Sequence, residues 1–483
     1  KSDKYFSFLD GPITANNPMG VHHAWGRTYK DLWPRFYNLL GYKQRFQNGF
    51  DCQGLWVEVE VEKELGLHSK KDIENLVQGD PTSPNGSVEA SKKASIAKFV
   101  QLCKDRVLKY SAIQTEQSKR LGYFADWDHS YFTMSDENNY MIWRFLKKCY
   151  DQGWIYKGHE SVPWCPRCET AISQHEMLTE DYKELVHQSV YFELPIIGRK
   201  GENLLVWTTT PWTIPANIGV AVDATFDYSL VEGSTGQKFW LAKELVKSVF
   251  KEKYKILKTV KGKELVGLKY HGPFDNLPKV KEVADANPDK FHIVFATDKM
   301  ILPITTTEGT GMVHTAVSAG VEDFKMGKKL GLPMIPVIED NADYMKGLGF
   351  LSGKNAKKHP EIILDYLKNN LNQNGQSWAF SIVAYKHRYP ACWRCKTELV
   401  WKVEDEWYIA MDKPFEKKTL RQRMVEVTKK IKWMPEFGLD RELDWLKNMH
   451  DWLISKKNRY WGLALPIYEC KKCGHFELVG SKD

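Results

Sequence analysis

The chain has 483 residues, of which 42% are hydrophobic, 27% charged and 13% aromatic. That composition excludes a disordered chain, and the length calls for roughly three domains rather than one core. No run of about 18 apolar residues occurs, which excludes a membrane-spanning helix, and a formal charge of +8 suits a polyanionic partner such as a nucleic acid.

Tyr5–Leu9 is apolar and reads as a strand, followed by a turn at Gly11 and Pro12 and a loop through Asn16–Gly20. A helix is expected from about His22 to Leu40, because Trp25, Tyr29, Leu32, Trp33, Phe36 and Leu39 recur at helical spacing. A second strand at Gln44–Phe46 leads through Gly49-Phe50-Asp51 into a helix ending near Glu64. Strand, loop, helix, strand is the opening of a parallel α/β sheet. Such sheets bind ligands at the carboxyl ends of their strands, where Gly11, Pro12, Gly20–His23 and Asp51 fall. Leu67–Gly153 reads as helical and charged, with a loop at Asp80–Asn85. Residues 186–384 alternate short strands with Gly, Pro and Asn turns, which predicts a β-rich insert with helices at Met326–Leu330 and Glu361–Leu371. After Trp407 the pattern is helical again. The opening residues carry no secretory pattern, so a cytosolic protein is expected.

Six of the nine cysteines form three Cys-x-x-Cys pairs: Cys165/Cys168, Cys392/Cys395 and Cys470/Cys473. In a cytosolic chain such pairs favour zinc over disulfides. Cys165, Cys168, Cys392 and Cys395 together make one closed tetrahedral site, with the 223 intervening residues inserted into a small zinc ribbon. Cys470 and Cys473 need two further ligands, and His475 is too close in sequence to serve. Cys103 and Cys149 are expected in the core.

Two further segments stand out. Thr208-Thr209-Thr210-Pro211-Trp212-Thr213-Ile214-Pro215-Ala216-Asn217 places three hydroxyls at the end of an apolar strand, Asn203–Thr210, and before a rigid loop. About a hundred residues later comes Gly309-Thr310-Gly311-Met312-Val313-His314. Together these segments resemble the hydrolytic editing pocket of the large class I aminoacyl-tRNA synthetases for isoleucine, valine and leucine. Asp51-Cys52-Gln53-Gly54-Leu55-Trp56-Val57-Glu58 resembles the isoleucyl pattern Asp-Cys-His-Gly-Leu-Pro-Val-Glu, with Gln53 and Trp56 as departures. Gly20-Val21-His22-His23 aligns with the family's His-x-Gly-His, the first and third positions being exchanged.

The resemblance runs from Tyr5 to Cys473 and carries a set of expectations. The fold is a Rossmann-like parallel-sheet catalytic domain interrupted by a β-rich editing domain and small zinc ribbons. Residues 1–153 are the first half of the catalytic domain, 154–185 and 385–410 the zinc stalk, 186–384 the editing insert, and 411–483 the return. The implied activity is ATP-dependent ligation of isoleucine to tRNA(Ile) through an adenylate, with hydrolysis of misactivated valine. Gly20, His22 and His23 act on the ATP phosphates, and Gly11, Pro12 and Asp51 hold the amino acid. Thr208, Thr209 and Thr210 hold the misloaded adenosine ester, and Asn217 supports their loop. His314 limits the side chain, and Asp323, nine residues on, takes the ammonium. ATP with Mg2+ is the cosubstrate, zinc is structural, and the partners are tRNA(Ile), isoleucine and ATP, with no membrane and a monomeric state. Asp451–Ser455 and Asn458–Gly462 resemble the segment that rejoins the catalytic sheet, with Lys456, Lys457 and Arg459 as candidate tRNA contacts. The family's Lys-Met-Ser-Lys-Ser loop is not found in the sequence. A valyl enzyme, a free-standing deacylase and a non-catalytic zinc-ribbon tRNA-binding protein are the competing readings.

Overall fold

Tyr5–Phe8 (β1) forms the expected first strand in the computed structural model, which describes residues 2–9, 11–77, 88–172 and 182–482. The loop expected at Asp80–Asn85 and residues 173–181 of the expected stalk lie outside the described residues. The chain divides into two units, Lys1–Gly158 with Glu406–Asp483, and His159–Asp405.

In the first unit β1 leads into Val21–Leu39 (α1) and then Lys43–Phe50 (β2), which runs four residues beyond the expected strand. Leu55–Glu64 (α2), Lys70–Ile73 (α3) and Val88–Arg120 (α4) follow. Leu67–Gly153 was expected to be helical apart from the loop at Asp80–Asn85, and the structure differs in its second half. Asp126–Phe132 (β3) is a strand, and Asp136–Asp151 (α5) completes the stretch. β1, β2 and β3 form a parallel three-stranded sheet in that order, with Phe8 opposite Phe46 and Phe50 opposite Phe132. β3 reads Asp-Trp-Asp-His-Ser-Tyr-Phe and buries none of its seven residues deeply, so it lacks the apolar run of a central strand.

The core of this unit gathers Ala15, Phe50, Cys52, Val57, Val61, Ile73, Phe99, Cys103, Val107 and, from far along the chain, Trp461. The segment at 460–462 thus returns to the sheet as expected. Cys103 and Cys149 are buried, also as expected. Beneath α2 lies a buried ionic triad. Lys70 bonds Glu58 and reaches Glu62 at 2.6 Å, all three being nearly inaccessible. Burial pulls the Lys70 ammonium down, and the two carboxylates more than offset this, holding it above its ordinary value. The free oxygen of Glu58 accepts the Trp461 backbone N–H at 2.7 Å, so the triad also anchors the returning segment. Removing one member of a buried ion pair leaves an uncompensated charge, at a cost of about 3–5 kcal/mol. Lys70→Met is therefore expected to lower stability by that amount in urea unfolding. A loss below about 1 kcal/mol would show that the triad contributes little.

The second unit is built on a mixed nine-stranded sheet. Ile155–Cys165 (β4) and Thr170–Ala171 (β5) flank the first cysteine pair. Tyr182–Pro195 (β6), Glu202–Thr208 (β7), Gly219–Val222 (β8), Asp227–Glu232 (β9), Lys238–Ala242 (β10) and Lys255–Lys261 (β11) follow. Pro278–Ala286 (α6), Ile293–Ala296 (β12), Met312–Thr315 (β13), Val321–Leu330 (α7), Glu361–Asn369 (α8) and Ala379–Pro390 (β14) complete it, and the chain leaves it along Val400–Ile409 (β15), whose last four residues are counted in the first unit. The sheet order is β11-β9-β10-β7-β13-β8-β12, with β6 beside β7 and β14 beside β6. The strand expected at Asn203–Thr210 ends at Thr208, because Thr210 caps a 3-10 turn, Pro211–Ala216, that starts on proline. α7 begins five residues before the expected Met326, and α6 was not expected at all. Of its nine residues only Val280 is buried.

In the remainder of the first unit, Leu420–Thr428 (α9) and Phe437–Asn448 (α10) precede a hairpin of Ile467–Glu469 with Phe476–Leu478. No helix among the described residues is long and apolar enough to cross a membrane.

Candidate functional sites

The first candidate site lies at the carboxyl ends of β1 and β2. Gly20 is the N-cap of α1, extended at φ −83° and ψ 169°, and its carbonyl accepts from the His23 and Ala24 amides. The helix has no acidic residue in its first turn, so its free amides and dipole are available to an anion. The Gly20 N–H donates to His23 Nδ1 at 3.1 Å. A neutral His23 therefore carries its proton on Nε2. Burial, then His22 and Arg27, hold its pKa below the ordinary value. His22 is exposed, and its ring packs on that of His23 with centroids 3.9 Å apart. A side chain at Gly20 would meet the His22 ring, its Cβ falling 2.8 Å from Cε1. The two positions exchanged relative to the family pattern thus share one volume.

Asp51 faces the same end of the sheet. Thr14 Oγ1 donates to its carboxylate at 2.8 Å, and its backbone pairs with Ile13 and Ala15. The next residue is fixed from both sides: the Cys52 amide donates to Thr133 Oγ1 and its carbonyl accepts the Trp461 indole N–H at 2.6 Å. The Gly54 amide in turn donates to the Trp461 carbonyl. Trp461 thus holds the Asp51 loop, a role that the sequence reading did not give it. Gly11 is exposed and Pro12 half-buried in the segment after β1, where the Gly11 carbonyl lies 3.5 Å from Lys30 Nζ.

The second candidate site is in the insert. β7 and β13 run parallel with Val313 opposite Trp207, which sets Thr208 and His314 at neighbouring strand ends. Thr208 and Thr210 hydroxyls lie 3.2 Å apart, and the Thr210 amide donates to Thr208 Oγ1. Residues 211–222 are all buried, whereas Thr209 and Thr210 are partly open. His314 is buried, with Nε2 3.0 Å from Thr213 Oγ1 and Nδ1 2.7 Å from the Asn217 amide nitrogen. Burial lowers its pKa to about 4, so it is neutral at physiological pH. Asp323 sits in the first turn of α7, accepts the Ala316 amide at 2.8 Å, and is pushed up to about 7 by burial. Thr208, Thr210, Asn217 and His314 are thus joined in one hydrogen-bonded cluster through Thr213, which the sequence reading did not single out, and Thr209 stands beside it, partly open. Asp323 is tied through the Ala316 amide to the residue that directly follows the strand carrying His314. A cavity of about 660 Å³, lined in part by Tyr191, Trp207, Phe239, Glu308 and Tyr385, includes none of these site residues. It belongs to the opposite face of β7, since neighbouring strand residues point to opposite sides.

The third is a cysteine cluster. Cys165, Cys168, Cys392 and Cys395 bring their sulfurs within 4.8 Å of one another. Cys395 Sγ lies 3.4 Å from Cys165 and 3.6 Å from Cys168. A tetrahedral zinc–thiolate centre with Zn–S of about 2.3 Å spaces its sulfurs about 3.8 Å apart, so the four side chains fit a metal ion. Sulfur–sulfur hydrogen bonds hold the Cys395 thiol well below its ordinary pKa. Cys470 and Cys473 are exposed, the Cys470 amide donating to the His475 carbonyl and the Gly474 amide to the Cys470 carbonyl in a tight knuckle. No third ligand joins them among the described residues.

Residues 1–482 match the family model of the tRNA synthetases class I (I, L, M and V). The chain belongs to that family. Among its relatives, the isoleucine--tRNA ligase of Clostridium novyi (strain NT) is 36% identical over 479 residues, covering 99% of this chain and 42% of its own length. That of Saccharolobus islandicus (strain M.16.27) is 34% identical over 488 residues, covering 100% and 43%. That of Methanopyrus kandleri is 36% identical over 499 residues, covering 99% and 42%. The chain therefore spans less than half the length of these curated relatives. A solved LeuRS–tRNA–LeuAMS ternary complex of Agrobacterium radiobacter K84 aligns over 99% of this chain and 49% of that chain, at 13% identity and a TM-score of 0.34. A likeness at that level carries no argument about the fold.

Proposed function

We propose that these residues are the activation and editing portion of an enzyme that ligates isoleucine to tRNA(Ile). The observation that carries the reading is the parallel pairing of β7 with β13, which joins the threonine-rich loop and His314 in one buried cluster. In the first unit the isoleucine carboxylate attacks the α-phosphate of Mg2+-bound ATP, releasing pyrophosphate. The acyl group then passes to a ribose hydroxyl of the tRNA, releasing AMP. The α1 amide cluster and His23 Nε2–H are placed to stabilise charge on the phosphate. Asp51 accepts the substrate ammonium, while Gly11 and Pro12 wall the amino acid site.

Valine is one methylene smaller than isoleucine, and a hydrophobic pocket separates the two only about 150-fold, so a second sieve is required. In the insert, Asp323 takes the ammonium of the misloaded amino acid. Thr209 and Thr210 hold the adenosine ester, and a water attacks the ester carbonyl. The four-cysteine cluster holds zinc as a structural clamp, and Cys470 with Cys473 contribute to a second such site. The cytoplasm is the expected location, and the working form is a monomer.

Isoleucine-dependent ATP–pyrophosphate exchange by the longest natural chain containing these residues tests activation, and valine-dependent exchange of equal efficiency would favour a valyl enzyme instead. Hydrolysis of valyl-tRNA(Ile) by residues 1–483 tests editing.

The shared volume at Gly20 and His22 makes a separate prediction. His22 supplies the imidazole that position 20 lacks. Loss of one preorganised transition-state donor lowers rates by about 10²–10³. His22→Gly is expected to slow exchange by that factor, and Gly20→His added to it is expected to restore most of the rate. Normal exchange by His22→Gly alone would contradict the role.

A further inference from the structure

Behind Asn217 and His314 lies a fully buried ring that no part of the proposed reaction uses. Tyr270 is 1% exposed, and its hydroxyl meets Asn217 Oδ1 at 2.7 Å. Its ring stacks on His292, centroids 4.7 Å apart and planes within 15°. Burial holds the phenol far above its ordinary pKa, so it keeps its proton.

The hydrogen bonds around it can be directed without ambiguity. The Gly219 carbonyl only accepts, and it lies 3.1 Å from the Asn217 amide nitrogen. That fixes which end of the amide is nitrogen, and leaves Oδ1 facing the Tyr270 hydroxyl, which must donate. The second hydrogen of the same amide nitrogen points at His314 Nδ1, 2.7 Å away. Nδ1 is therefore an acceptor, and the single proton of a neutral imidazole sits on Nε2. Nε2–H donates to Thr213 Oγ1 at 3.0 Å, and the Thr213 hydroxyl is left to donate to the Thr210 carbonyl at 2.9 Å.

We propose that Tyr270 is a positioning residue of the editing site, the buried end of a one-way hydrogen-bond chain Tyr270→Asn217→His314→Thr213→Thr210 that fixes the His314 tautomer and the backbone of the threonine loop. The inference rests on the editing reading for its catalytic consequence, but not for its chemistry. Both ring nitrogens of His314 are consumed by the chain, so His314 abstracts no proton from the attacking water. It offers the cleft its carbon edge and acts on the ester by shape. Tyr270 acts on His314 through Asn217, and on Thr210 through Asn217, His314 and Thr213, and it touches no substrate.

Tyr270→Phe isolates the hydroxyl, because phenylalanine keeps the stack on His292 while leaving Asn217 Oδ1 buried and unpaired. An unsatisfied buried acceptor destabilises its arrangement enough to change a rate about tenfold. The experiment uses residues 1–483, wild type and Tyr270→Phe. Histidine-selective 15N NMR, with the His314 signals assigned by their loss in His314→Gln, is combined with steady-state hydrolysis of valyl-tRNA(Ile). The wild type is expected to show His314 Nδ1 unprotonated and Nε2 protonated. Tyr270→Phe is expected to mix the two tautomers and to lower kcat about tenfold with KM within twofold. A wild-type His314 protonated on Nδ1 overturns the proposal, and so does a Tyr270→Phe protein with unchanged 15N pattern and kcat. If the wild type hydrolyses no valyl-tRNA at all, the editing reading fails, and the 15N pattern alone still decides whether the chain exists.

Discussion

Asp323→Ala is expected to lower valyl-tRNA(Ile) hydrolysis by about thirtyfold or more, while isoleucine activation by the longer natural chain stays unchanged. Truncating one partner of a buried charge pair costs about 2–5 kcal/mol, which is a factor of about thirty to several thousand. Asp323 reaches that role through its setting: the Ala316 amide fixes one carboxylate oxygen at 2.8 Å, and burial raises its pKa to about 7. The sign of the pH dependence follows. The ammonium needs the ionised carboxylate, which is populated above about pH 7 and lost below it. The ammonium of an aminoacyl ester deprotonates at higher pH. Hydrolysis corrected for the spontaneous rate is therefore expected to rise through pH 7 and then level or fall. His314, lowered to about 4, contributes no limb near neutrality. For stability the sign is opposite. A carboxyl whose folded pKa is raised from its model value of 3.8 to about 7 weakens the fold as pH rises across that window. Asp323→Asn is expected to flatten the acidic limb and to gain stability at pH 8. An unchanged pH profile in that variant would contradict the assignment.

The second large effect is expected at the cysteine cluster. Structural zinc in zinc-finger peptides supplies about 10–16 kcal/mol of folding free energy. Cys392 and Cys395 are separated in sequence from Cys165 and Cys168 by the whole insert, so a metal held by the four thiols would close a long loop at its base. Cys395→Ser is expected to remove one equivalent of zinc by elemental analysis and to lower the melting temperature by 10 °C or more, an order-of-magnitude figure for losing several kcal/mol. Retention of the zinc, or an unshifted melting curve, would show that the four thiols do not form a metal centre. Cys473→Ser separates the two knuckles, because its exposed site is expected to cost little stability.

The sequence made legible those features whose chemistry is local. α1 shows itself through aromatic spacing alone, and its start fell within one residue of the observed Val21. Cysteine spacing foretold which four thiols would meet, because two Cys-x-x-Cys units supply the four thiolates of one closed metal site. The threonine run and His314 were linked by resemblance, and strand pairing supplies the physical reason that they lie together. What stayed hidden depends on long-range contact. β3 carries two aspartates and a histidine on a barely buried strand, so its pattern resembles the helices around it. α6 is only nine residues long and mostly exposed, so its apolar stripe of Val280, Val283 and Ala284 is too short to stand out. Thr213, Tyr270 and Trp461 look like ordinary core residues, and become informative only once the partners of their polar atoms are known.

Central to the proposed function is that the threonine loop of the insert removes the wrong ester. The most direct measurement is the rate at which residues 1–483 deacylate valyl-tRNA(Ile) and isoleucyl-tRNA(Ile), compared with the same chain carrying Thr209→Ala and Thr210→Ala together. The account predicts rapid loss of valine, slow loss of isoleucine, and a fall to near the spontaneous rate in the double variant. Equal rates for the two esters, or a double variant that still hydrolyses valyl-tRNA like the wild type, would contradict it.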